Sequence, residues 1–420
     1  MTLSDLNADQ LSALLDEQRA AYQALRDAGL KLDITRGKPA PSQLDLSADL
    51  LTCDVPAKAA DGTDVRNYGG NKGLPEIREI FAELLNVPLD NIVAGDNSSL
   101  SIMHDVLVQA MIYGAPNGDG PWFGQKVKFI APVPGYDRHF AICQKLGIEM
   151  VPVELGEHGP DLDEVVRLLQ DPTVKGMWVV PMYANPNGVV YDEATARALL
   201  EMPAAAPDFR IWWDNAYALH HLTDDEPKPL PVLQMAAEAG NPDRVLQFAS
   251  TSKITLAGGG VSFLASSKAN LDAYLAGVGV RTIGPDKVNQ LRHAMYFKDA
   301  EGVRELMRRH RDQLAPKFRI VIDILEQRLG EHGFARWTHP TGGYFVTLDV
   351  MDGTASRVVA LAKEAGIALT PAGSSHPLGQ DPYDRTIRLA PSFPSETDLA
   401  TAMDGVATCA LLAALEKLTA

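Results

Sequence analysis

Apolar positions along the chain recur in two rhythms. Leu11, Leu14, Leu15, Tyr22 and Leu25 fall at helical spacing and predict a helix from about Ser4 to Gly29, with Gly29 as its stop. From Leu100 onward, short apolar runs alternate with helical segments. The runs predict strands over Val127–Ala131, Met150–Val153, Gly176–Pro181, Ile211–Trp213, Val245–Ala249 and Val261–Ala265. Between them the spacing predicts helices over Leu100–Tyr113, Arg138–Leu146, Leu162–Leu169 and Glu193–Glu201. This alternation predicts an α/β domain whose central sheet is mostly parallel and covered by helices.

The pattern changes after about Lys298. Val303, Leu306, Met307, Leu314, Phe318 and Leu325 suit long helical structure up to Leu329. Gly343–Leu348 and Thr386–Ala390 read as strands, and a capping box, Ser395-x-x-Asp398, opens a last helix that runs to about Leu418. We therefore expect a large domain over residues 50–310. A smaller, discontinuous α+β domain would combine 1–49 with 311–420. No internal repeat or low-complexity tract interrupts the pattern.

Composition narrows the function classes. The chain has 420 residues, 46% hydrophobic and 22% charged, with a net charge of −16. Such an acidic chain is a poor partner for nucleic acid or an anionic membrane. Cys53, Cys143 and Cys409 lie far apart, as expected of reduced thiols in a cytoplasmic protein. Neither a signal peptide nor an apolar run of about 18 residues stands out. No His/Cys/Asp set has metal-ligand spacing, and the adjacent His220 and His221 would point apart in a strand. No Gly-x-Ser-x-Gly elbow supports a serine hydrolase.

Candidate chemistry gathers where strands end. Ligands of open α/β sheets bind beyond the carboxyl ends of the strands. Pro134-Gly135-Tyr136, Asn185-Pro186-Asn187-Gly188, Asp214-Asn215-Ala216-Tyr217 and Ser250-Thr251-Ser252-Lys253 each follow a predicted strand and would converge on one crevice. Lys253 would be partly desolvated there, the setting in which a lysine amine loses its proton near neutral pH and forms a Schiff base. Taken alone, Ser-x-Ser-Lys is an ordinary exposed lysine after a strand. Asp214 follows three large apolar residues and needs a cationic partner, such as a protonated pyridine nitrogen. By itself it is equally a capping or loop aspartate. Asn185 could donate to a cofactor oxygen or simply shape a turn. Tyr217 could donate to the same oxygen, and Tyr136 could stack on a planar ring; each could equally be a packed aromatic. Ser98 and Ser99 precede a helix and suit either a phosphate site or plain N-capping. Arg388 sits between Ile387 and Leu389, where a guanidinium should pair bidentately with a carboxylate of the protein or of a substrate.

Taken together these features resemble the class I, fold-type I pyridoxal-phosphate aminotransferases. The motifs that carry the resemblance are Tyr68-x-Gly-x-x-Gly73, Asn185-Pro-x-Gly188, Asp214-x-Ala-Tyr217, Ser250-x-Ser-Lys253, Pro340-x-Gly-Gly343 and Arg388. They occur in the family's order over nearly the whole chain. The resemblance implies the following roles. Lys253 would hold pyridoxal 5′-phosphate as an internal aldimine and shuttle the proton, and Asp214 would pair with the pyridine nitrogen. Asn185 and Tyr217 would bond the phenolic oxygen, while Tyr136 and Ala216 sandwich the ring. Ser98, Ser99, Ser250, Ser252 and Tyr68 of the partner subunit would bind the phosphate. Arg388, Asn185 and the backbone at Gly37 would hold the substrate α-carboxylate. The family also implies a homodimer with shared active sites, acting on amino acids and 2-oxo acids.

One departure stands out. Most of the family places an arginine eight residues after the lysine, on the cofactor phosphate; here that position is Val261. Lys287 is the candidate replacement, from the same chain or reaching across from the other subunit. Gly284 falls near where dicarboxylate-specific members carry an arginine for the distal carboxylate, so Arg36, Lys38 and Lys287 are the cations to examine for that role. The phrasing around Thr35–Pro39, Ser252–Thr255 and Gly284–Gln290 looks most like a divergent bacterial aspartate aminotransferase subgroup. That subgroup is also similar to the aminotransferase-like domain of winged-helix regulators, and the short stretch before Leu32 favours a stand-alone enzyme. The expected reaction is L-aspartate:2-oxoglutarate aminotransfer by a ping-pong mechanism. Rivals are transamination of aromatic, alanine or aminoadipate-type donors, a non-catalytic ligand sensor, and a PLP-dependent lyase.

Overall fold

A computed structural model describes residues 2–420. Twelve strands occur among them: β1 (Leu32–Asp33), β2 (Ile92–Gly95), β3 (Lys128–Val133), β4 (Glu149–Glu154), β5 (Val174–Val179), β6 (Arg210–Asp214), β7 (Val245–Ser250), β8 (Ser262–Ser266), β9 (Arg336–Trp337), β10 (Val346–Asp349), β11 (Ile367–Ala368) and β12 (Thr386–Leu389). Seven of them form one sheet in the order β2-β8-β7-β6-β5-β3-β4. The five strands from β7 to β4 are parallel, and β8 runs antiparallel to both β7 and β2.

The sheet is buried on both faces, which explains why its strands read as unbroken apolar runs. Successive side chains alternate between faces. Met177, Val179, Ile211 and Trp213 join one core, while Trp178, Trp212, Leu246 and Phe248 join the other. Helices cover each face. Phe81, from the helix Pro75–Leu85, stacks on Phe263 of β8 with ring centroids 3.9 Å apart.

A separate core joins the two ends of the chain. Leu3, Leu15, Tyr22 and Ile34 pack with Phe318, Leu325, Leu348, Leu389 and much of the last helix, Glu396–Leu418. That helix is long and apolar enough to cross a membrane by composition, a run that the sequence reading passed over. It is a core helix, with 78% of its apolar window buried, packed against the helices Ala300–Leu329 and Ala8–Asp27. The small sheets β12-β10-β9 and β1-β11 lie in this part of the chain.

The expected helices all form, with ends shifted by a few residues. Several elements were missed, among them β2 and the helices Pro75–Leu85, Lys268–Arg281 and Lys287–Phe297. β2 is only four residues long, too short for periodicity to mark. Lys287–Phe297 buries Lys287, Gln290 and His293, so its inward face does not read as apolar.

Candidate active site

Strand direction decides where the site lies. β2, β3, β5, β6 and β7 all end at the same edge of the sheet, and β8 begins there, because Ser262 pairs with both Ser250 and Gly95. The segments bearing Ser98, Tyr136, Asn185, Asp214 and Lys253 leave from this edge.

Lys253 lies in a turn just past β7. Its ammonium sits 4.9 Å from the ring centroid of Tyr217. Burial lowers its pKa below the ordinary lysine value of 10.5, and the Asp214 charge offsets this only in part. Desolvation thus favours the uncharged form of the amine at the mouth of the sheet.

Asp214 closes β6 and is 3% exposed. Its Oδ2 lies 3.1 Å from Nε2 of His139, a residue of the helix Asp137–Lys145. The His139 ring is stacked on Trp178 at 4.1 Å and 7°. Oδ1 of Asp214 is buried with no partner. An unpaired buried carboxylate oxygen costs on the order of 1–3 kcal/mol or more. A cationic N–H in front of Oδ1 would remove that cost, so the residues present fit a protonated pyridine. Sequence reasoning missed His139. Its signal was a histidine three residues after Tyr136, on the apolar face of an amphipathic helix.

Around this pair stand the other expected residues. Tyr217 is buried, and burial pushes its phenol pKa well above 10.0. Tyr136 caps the helix that carries His139 and meets that ring edge-on at 4.9 Å. Burial first, and then the Asp214 and Asp137 charges, push its phenol up to about 12. Both phenols therefore remain hydrogen-bond donors at neutral pH. Ala216 is half-buried between Asp214 and Tyr217.

Arg388 lies on β12, opposite Thr347 of β10. Its Nη1 reaches Oδ1 of Asn185 and Oδ1 of Asp137, each at 3.4 Å, and its Nε is buried without a partner. No bidentate pair forms among the described residues, which leaves the planar edge of the guanidinium available to a carboxylate. Phe345 supports Arg388 from below, 5.0 Å from the guanidinium carbon to the ring centroid. Gly37 packs against the tip of that ring, where a Cβ would come within 2.2 Å of Phe345 Cζ. No side chain fits there, so the backbone of residue 37 can approach the Arg388 end of the crevice.

The phosphate candidates also meet. Ser98 N-caps the helix Ser99–Tyr113, its hydroxyl accepting from the Leu100 N–H at 3.2 Å. Ser250 donates to Ser252 at 3.1 Å. A Cβ on Gly260 would lie 3.1 Å from the Asn97 carbonyl and 3.4 Å from the Ser252 nitrogen, so the two hydroxyl-bearing segments converge at this glycine. Val261 is buried in the core. Lys287, expected at the phosphate, is 2% exposed, and its ammonium donates to the Asn67 and Gly69 carbonyls at 2.7 and 2.6 Å. It fastens the loop bearing Tyr68, which is 80% exposed. Arg281, unnoticed in the sequence, shares a cavity of about 260 Å³ with Asn97 and Gly260 and pairs with Asp96 and Asp105. Of the three cations considered for a distal carboxylate, Lys38 lies over the Phe393 ring at 3.9 Å and Arg36 is exposed.

The chain is similar to known proteins over nearly its whole length. The family model described as "Aspartate amino-transferase" matches residues 6–420. The chain is 54% identical to an aspartate aminotransferase of Corynebacterium glutamicum, over 99% of this chain and 97% of that protein. The crystal structure of an aspartate transaminase from C. glutamicum superposes with a TM-score of 0.98 at 53% identity, covering 99% of each chain. An α-aminoadipate aminotransferase of Thermus thermophilus, complexed with N-(5′-phosphopyridoxyl)-L-leucine, shares the fold. Its TM-score is 0.71 at 21% identity, over 92% of this chain and 93% of that one.

Proposed function

The chain belongs to the aspartate amino-transferase family, and from that premise we propose that it transfers the amino group of L-aspartate to 2-oxoglutarate by a ping-pong mechanism centred on Lys253. It is an aminotransferase, and the family implies pyridoxal 5′-phosphate. One observation carries the assignment of the site: a desolvated Lys253 amine shares the crevice with a buried Asp214 carboxylate whose second oxygen has no partner. The choice of aspartate is supported by the C. glutamicum relative.

When bound, pyridoxal phosphate supplies a carbon that amines attack and a protonated ring that accepts the electron pair left at the substrate Cα. Asp214 would keep the ring nitrogen protonated, and His139 holds that carboxylate in place through its other oxygen. Lys253, whose desolvation favours the uncharged amine, would carry the proton between the substrate Cα and the C4′ position. Asn185 and Tyr217 would donate to the phenolic oxygen, and Tyr136 and Ala216 would flank the ring. Ser98, Ser99, Ser250 and Ser252 take the phosphate. Arg388, Asn185 and the Gly37 backbone take the α-carboxylate, and the exposed Arg36 takes the distal one. Lys287 serves the cofactor indirectly, by shaping the Tyr68 loop.

We further propose that the protein is a cytoplasmic homodimer in which Tyr68 of each chain completes the site of the other. The 80% exposure of Tyr68 in a single chain supports this. A division into residues 50–310, and 1–49 with 311–420, is supported by the separate core at the two chain ends. The test is spectroscopic and kinetic. Aspartate should change the absorbance of the bound cofactor, and kcat/KM should favour aspartate and glutamate over alanine and aromatic donors. Lys253→Ala should lose turnover while retaining cofactor. An absorbance unmoved by aspartate or glutamate would overturn the assignment.

A further inference from the structure

The turn that carries Lys253 is held by three histidines from three different elements. His220, in the loop after β6, places Nε2 3.3 Å from the Lys253 carbonyl. His310, on the helix Ala300–Leu329, places Nε2 2.9 Å from the Ile254 carbonyl. His293, on the helix Lys287–Phe297, places Nε2 3.0 Å from the Thr255 hydroxyl. All three rings are 3% exposed or less. Three consecutive residues thus each meet one buried imidazole.

The chemistry of the partners sets the state of each ring. A carbonyl only accepts, so His220 and His310 must each present Nε2–H. Nδ1 of His310 then accepts from the Gln43 amide, 3.1 Å away. His293 is the reverse case. Its Nδ1 faces the Asn289 carbonyl at 2.9 Å and must carry the proton, so Nε2 accepts from Thr255. Burial favours the neutral ring in all three and holds His310 down to about 4.

The need for this collar follows from the backbone. Ile254 and Thr255 both donate to the Thr251 carbonyl, which makes a single helical turn. The chain then breaks toward Gly258–Gly260, so no following helical turn supplies N–H groups to the carbonyls of Lys253 and Ile254. Buried carbonyls must find donors elsewhere. A lysine or arginine could serve, but would put a positive charge beside the amine. A neutral imidazole supplies the donor on a stiff side chain without adding charge.

We propose that His310, together with His220 and His293, forms a set of positioning residues for the transfer reaction, fixing the Lys253–Thr255 turn so that the Lys253 amine meets substrate at one reach and one angle. The proposal rests on Lys253 being the reactive amine. A misplacement of about 1 Å at such a group is enough to cost about 100-fold in rate.

The experiment compares holoenzyme variants: His310→Leu, which removes the donor, His310→Gln, which restores one, and Thr255→Val, which keeps shape but removes the His293 link. For each we would measure kcat and KM for aspartate, the pH midpoint of the bound-cofactor absorbance, and the melting temperature. His310→Leu should lower kcat roughly 10–100-fold and shift the absorbance midpoint. KM should stay within about twofold of wild type, because substrate binding is untouched. His310→Gln should recover most of both changes, and Thr255→Val should lose kcat by only about threefold to tenfold. A folded His310→Leu with wild-type kcat and midpoint would overturn the proposal. So would equal losses in the Leu and Gln variants with an unmoved midpoint, since that is the signature of packing. If His310→Leu does not fold, Thr255→Val decides: wild-type kcat and midpoint there overturn the proposal. Lys253→Ala is run alongside. Turnover surviving in that variant would remove the Lys253 reading itself, a failure distinct from silent histidine variants.

Discussion

The two ends of the crevice are built differently. At the Asp214 end the carboxylate is held by His139, the imidazole is stacked on Trp178, and the whole assembly is buried within the sheet and its covering helix. At the Arg388 end the guanidinium has two contacts, both at 3.4 Å, an unpartnered Nε, and an aromatic ring as its floor. The first end is rigid and leaves one acceptor open. The second is loosely paired and leaves donors open. A group that stays bound through every turnover is best met by a site whose geometry is already fixed. A carboxylate that arrives and leaves with each half-reaction is better met by donors that give up weak contacts to receive it.

The largest way to test this contrast is at the rigid end. Asp214→Asn keeps the shape and removes the charge; kcat should fall roughly 10²–10³-fold, with cofactor retention also weakened. Equal kcat in the variant would mean that the buried carboxylate is only structural. The loose end should respond in substrate terms instead. Arg388→Lys loses the planar fork, and kcat/KM for aspartate should fall roughly 10–100-fold, matching the about 1.5–3 kcal/mol of a charged hydrogen bond. Cofactor retention should not change. A variant that sheds cofactor but keeps its kcat/KM would reverse the assignment of the two ends.

The smallest effect concerns stability. Between the lowered pKa of native Lys253 and the ordinary 10.5, the unfolded chain holds a proton that the folded chain lacks. Stability therefore rises with pH across that interval, and the cost of burying the charge is greatest below it. Cofactor-free Lys253→Met should melt above the cofactor-free wild type at pH 7, with the gap closing toward pH 10.5. Thermal melts at several pH values would show this; a gap that widens with pH would contradict the sign.

Much of the fold was legible because burial on both faces leaves long apolar runs, as in Val174–Val179 and Arg210–Asp214. Short or polar-faced elements were not. β2 has four residues, and the helix with Lys287 and His293 hides polar side chains inside. Candidate site residues next to strand ends, such as Asp214 and Lys253, could be picked out from position. His139, Phe345 and the three histidines around Lys253 were not, because their roles depend on partners that lie far off in the chain.

By itself, the sequence determined the alternation of strands and helices, the order of the motifs and the candidates for reactive groups, since local periodicity and side-chain chemistry are written residue by residue. Only the tertiary structure decided which lysine is left without a hydrogen-bonded partner among the described residues and which is fastened. Lys253 is left beside Tyr217 with no anionic partner in contact, whereas Lys287 is spent on the carbonyls of Asn67 and Gly69. Both are lysines in glycine-rich surroundings, and desolvation and hydrogen bonding, which separate them, arise from packing between segments about 220 residues apart.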